Sequence, residues 1–185
     1  MSMRSFIKRI KKLKKLKKLI RKSHVTHVTH VKEELNEICK ECKCICNTKR
    51  FQQNFKNWTS GNNDVDIFIK NTQLSSHGEI TGVLEWIPYD RFYDIKHVKE
   101  NSSSKLYRAI WIDGRIDEWD NKNQNWERSV PYLVVALKSL NNSKNITLEF
   151  LNEIKLNHEI YGLTQDPEKE IYKLVLNFGY GIRNM

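Results

Sequence analysis

A chain of 185 residues with a net charge of +10 invites a nucleic-acid or anionic-membrane reading until the charge is located. The first 23 residues hold 11 of the 32 Lys and Arg and no acidic residue, which leaves 21 basic against 22 acidic residues in a nearly neutral body. The basic reading therefore belongs to the tail alone, no apolar run nears the roughly 18 residues of a spanning helix, and a core of this size needs no disulfide or metal support.

The tail carries three Lys-Lys-Leu triplets over Lys11 to Leu19. Its apolar residues recur every three positions instead of every 3.6, so they wind around a helix and form no single stripe. The expectation is a solvated basic helix that contacts nucleic acid or an anionic membrane. A charged start without an uninterrupted apolar stretch is not a secretory signal, and an intracellular location, cytoplasmic or nuclear, is expected. The triplets around His24, His27 and His30 then read as a repetitive linker.

Cys39, Cys42, Cys44 and Cys46 follow within eight positions. The C-x2-C pair has the spacing with which one turn grips a tetrahedral zinc ion. The C-x-C pair follows after one residue, where a zinc ribbon needs a second knuckle beyond a connector of about a dozen residues. On that ground the four cysteines are named as the metal candidates, and zinc is not expected as a cofactor.

Phe51, Phe55 and Trp58 are spaced four and three apart and predict a helix ended by Gly61; Val65, Phe68 and Ile69 predict a second. After Pro88 the pattern changes to strands at Asp94–Val98, Lys105–Ile112, Tyr132–Ser139, Glu159–Thr164 and Ile171–Phe178. A helix over Thr147–Asn157 lies between the third and fourth. The predicted organisation is a basic and His-rich extension over 1–31, a cysteine segment over 32–50, short helices over 51–88 and an α+β unit over 89–185. That unit is expected to be a five-stranded antiparallel sheet with one helix.

Val135-Ala136-Leu137-Lys138 ends the third strand and matches the V-A-I-K pattern of protein kinases, whose lysine reaches the α- and β-phosphates of ATP. Glu153, fifteen residues on, sits in the helix that supplies the pairing carboxylate in a kinase. Leu106-Tyr107-Arg108-Ala109 resembles the end of the second kinase strand. The Asn47–Gln53 run, Trp58–Asn62, Leu84–Tyr89, Ala109–Gly114, Leu137–Asn142 and Gly162–Pro167 are similar to a large, expanded fungal group of protein-kinase-domain proteins. This resemblance to the kinase small lobe covers about Cys39 to Phe178. It implies an ATP site in which Lys138 contacts phosphate and Glu153 pairs with it. Leu106 and Ala136 would then cover adenine, Leu176 would be the gatekeeper, and the backbone of Asn177 to Gly179 would be the hinge.

The departures are as informative. The three glycines of the phosphate-covering loop fall at Lys99, Asn101 and Ser104, and side chains there restrict the approach of backbone to phosphate. Neither H-R-D-x-x-x-x-N nor D-F-G occurs in the sequence. The expectation is a degenerate or truncated kinase-like domain, family-assigned to protein phosphorylation but inactive as given. ATP affinity would be weak or vestigial, a Mg²⁺ requirement stays open, and no residue is assigned a catalytic role. The alternative is a non-enzymatic interaction module that uses its basic tail for targeting. A protein partner would meet the face that a kinase large lobe covers.

Overall fold

The computed structural model describes residues 38–43, 46–101, 104–140, 146–157 and 159–179. The basic tail, the histidine triplets and Cys44 lie outside them. By contact the chain divides into two units, 1–45 and 46–185. In the first, the described segment 38–43 is a turn closed by the amide of Lys43 donating to the carbonyl of Cys39 at 3.0 Å.

The second unit opens with α1 (Asn47–Asn54) and α2 (Asn63–Leu74). The first helix stops short of Gly61, because its register is set by the start at Cys46 and its last turn closes at Phe55. The second begins where Asn62 accepts from the amides of Asp64 and Val65, satisfying two otherwise orphaned donors. Asp66 secures the approach by accepting from the Ser60 amide, the Ser60 hydroxyl and the Thr59 hydroxyl.

Then come β1 (Glu85–Trp86), a 3-10 turn at Tyr89–Arg91, β2 (Phe92–Glu100), β3 (Lys105–Trp111), β4 (Arg115–Asp120), β5 (Asn125–Ser129) and β6 (Leu133–Ser139). The helix α3 (Leu148–Asn157) follows, and β7 (Ile160–Asp166) and β8 (Ile171–Asn177) complete the unit. The main sheet has the order β1-β7-β8-β6-β3-β2, and β4 and β5 form a separate hairpin.

The expected five-stranded antiparallel sheet with one helix is thereby corrected. Among the described residues there are eight strands and three α-helices, and the six-stranded sheet is mixed because β1 runs parallel to β7. β1 escaped prediction because two residues carry no periodicity. Its place depends on Gly162: a Cβ there would lie 2.1 Å from the carbonyl oxygen of Glu85. Gly162→Ala is expected to force that strand away and cost about 1–3 kcal/mol, read as a lower urea midpoint at unchanged slope. The β4–β5 hairpin escaped because its charged residues break the alternation. Tertiary contacts hold it to α1, with Trp126 stacked on Phe51 at 4.3 Å and Arg50 over Trp119 at 5.2 Å.

Alternation along the strands divides the core in two. One cluster joins Leu106, Ala136, Leu163, Leu174 and Leu176 of the sheet to Val65, Phe68 and Ile69 of α2 and Leu151 of α3. The opposite face gathers Ala109, Trp111, Val135, Leu137 and Val175 with Ile87 and Phe92. The helices thus cover the face of the sheet from which Ala136 and Lys138 project.

Candidate functional site

The residues assigned to a nucleotide are brought together in part. Leu106 is the register partner of Lys138, and Ala136 is the partner of Leu176. Cross-strand partners share a face, so all four belong to the face covered by α2 and α3. Leu106, Ala136 and Leu176 are fully buried there. Lys138 is half-buried, and that burial pulls its ammonium below the usual lysine range. Glu153 is on α3 and exposed.

At the position assigned to a hinge, the amide of Asn177 donates to the carbonyl of Glu159 at 3.4 Å. The amide of Gly179 donates to the Asn177 side chain at 3.0 Å. At the position assigned to a phosphate-covering loop, Glu100 and Lys105 are register partners and form a 2.9 Å ion pair. The Ser104 amide donates to Asn101 Oδ1 at 2.7 Å. A cavity of about 480 Å³ lies elsewhere, among the Ile80–Leu84 loop, Arg115–Asp117, Lys155 and Glu159–Tyr161, and none of the seven assigned nucleotide residues lines it.

The expectation that zinc is not a cofactor is corrected. One ligand atom from each of Cys39, Cys42, Cys46 and His77 lies within 4.8 Å of every other, a group able to take a metal ion such as zinc. The missing second knuckle, on which the expectation rested, is supplied by Cys46 with a histidine 31 residues further along. Sequence reasoning missed His77 because no local spacing links it to the cysteines. Only the pairing of α1 with the end of α2 brings it near, and the Thr48 hydroxyl donating to the Leu74 carbonyl at 3.0 Å fastens that pairing. The Ser-His-Gly sequence just after a predicted helix offered a weak signal, a loop histidine with room around it.

Cys46 is buried at the N-cap of α1, so the start of that helix fixes its backbone. The loop carrying His77 is anchored on both sides. Ser76 donates to the Gln73 carbonyl at 2.6 Å, Gln73 donates to the Leu84 carbonyl at 2.8 Å, and the Leu84 amide donates to Thr72 at 2.9 Å.

Compared with known proteins, the chain matches no family model, and no curated protein matches it. No helix among the described residues is long and apolar enough to cross a membrane.

Proposed function

We propose that this chain is a degenerate kinase-like module that acts without catalysis, its adenine position taken over by its own core. The observation that carries the reading is the burial of Leu106, Ala136 and Leu176 in one apolar cluster with Val65, Phe68 and Ile69 of α2. Three side chains that would cover a purine are covered instead by protein.

Two further features support it. The amides at the hinge position donate within the chain, so a base would have to displace them. The Glu100–Lys105 ion pair between the facing ends of β2 and β3 would occupy the position at which a kinase backbone folds over phosphates. What such a scaffold retains is surface for a protein partner, together with a basic tail suited to nucleic acid or an anionic membrane.

Thermal unfolding in millimolar Mg²⁺-ATP tests the proposal, because a ligand that binds the native state raises the midpoint by mass action. The expected result is the same midpoint with and without nucleotide, for the native chain and for Lys138→Ala alike. A rise in the native chain that Lys138→Ala abolishes would restore a working phosphate site and overturn the proposal.

A further inference from the structure

We infer that Cys39, Cys42, Cys46 and His77 are the four ligands of one structural zinc ion, built from two half-sites that the fold makes separately. The first half-site is the turn 38–43. Its Cys39-Lys-Glu-Cys42 spacing presents two sulfurs from one turn, and the Lys43 to Cys39 hydrogen bond closes that turn at 3.0 Å.

The second half-site is made within residues 46–185. Cys46 Sγ and His77 Nδ1 are 3.6 Å apart. A tetrahedron with Zn–S of about 2.3 Å and Zn–N of about 2.0–2.1 Å has an S···N edge of about 3.6 Å. The separation is therefore that of two ligands sharing an ion. Cys42 and Cys46 are four positions apart in the chain, at most roughly 14 Å when extended, so the tether keeps both pairs within reach of one ion.

Three sulfurs and one imidazole form a set that selects zinc over the oxygen-preferring divalent cations. Such an ion, closed by four protein ligands, has no open position for substrate and contributes to folding.

The experiment uses the full chain and zinc itself. Metal content measured on purified protein is expected to be one zinc per chain. Cobalt(II) replacement is expected to give the intense visible absorption of a tetrahedral thiolate site. His77→Ala is expected to weaken zinc by at least about 100-fold, since even loss of an outer-shell partner costs 10–100-fold. His77→Cys, which restores a fourth ligand, should hold the metal, and Cys44→Ser should leave affinity unchanged. Full zinc in His77→Ala together with loss in Cys44→Ser would overturn the assignment in favour of the four cysteines. Absence of zinc from the native chain after zinc addition would overturn it outright.

Discussion

Asp166→Ala is expected to destabilise the chain by about 3–5 kcal/mol, because it leaves a buried ammonium without its counter-charge. Lys173 Nζ lies 2.8 Å from Asp166 Oδ2, with side-chain exposures of 3% and 7%. The Tyr89 hydroxyl completes the group at 3.0 Å from the lysine, and its ring lies 4.7 Å from the same ammonium. The Tyr107 ring, on β3, lies 4.9 Å from it. Removing the carboxylate strands a charge that water cannot reach.

The half-exposed pair Arg91–Asp113, with side-chain exposures of 40% and 28%, supplies the control. Asp113→Ala should cost about 0–1 kcal/mol. Urea unfolding of both variants measures the difference, and equal losses would show that burial is not what makes the Asp166 pair costly to break.

The same pair fixes a pH dependence. Burial pushes the Asp166 carboxyl up, but the hydrogen bond and charge of Lys173 outweigh it and hold it below the usual carboxylate range. A carboxyl depressed in the folded state stabilises above its unfolded value, and that contribution is lost as pH falls through the folded one. Burial pulls Lys173 down, yet its bonds to Asp166 and Tyr89 leave it above the usual lysine range. Its contribution is complete below the unfolded lysine value and is lost as pH rises through the folded value. The stabilising window therefore lies between the two, and Asp166→Asn should flatten its acid side.

Phe68→Ala carries the second large effect, about 3–5 kcal/mol, from lost burial and the cavity left behind. Phe68 is 2% exposed and belongs to the cluster that holds Leu106, Ala136 and Leu176. The exposed Phe150 on α3, at 37%, should tolerate the same change within about 0.5 kcal/mol. Unfolding midpoints of the two variants measure the contrast. A Phe68→Ala loss no larger than that of Phe150→Ala would remove α2 from the core and, with it, the basis for the proposal that core side chains fill the position assigned to adenine.

These effects fall on residues of different legibility. The V-A-L-K run at Val135–Lys138, the helix carrying Glu153 and the strands at 105, 133, 160 and 171 could be read from alternation and helical spacing. Those signals depend on neighbours a few residues apart. What covers a face, and which distant residues meet, is not encoded at that range. Leu106, Ala136 and Leu176 look the same in sequence whether a ligand or a helix covers them.

The sequence by itself determined the concentration of charge in the tail, the element types from α1 to β8 except β1 and the β4–β5 hairpin, and the lysine at the end of β6. These follow from composition and local periodicity. Only the tertiary structure decided that Gly162 admits a parallel edge strand, that α2 covers the position assigned to adenine, and that His77 stands beside Cys46. Each is a contact between residues dozens of positions apart, created by packing, and chain spacing carries no record of it.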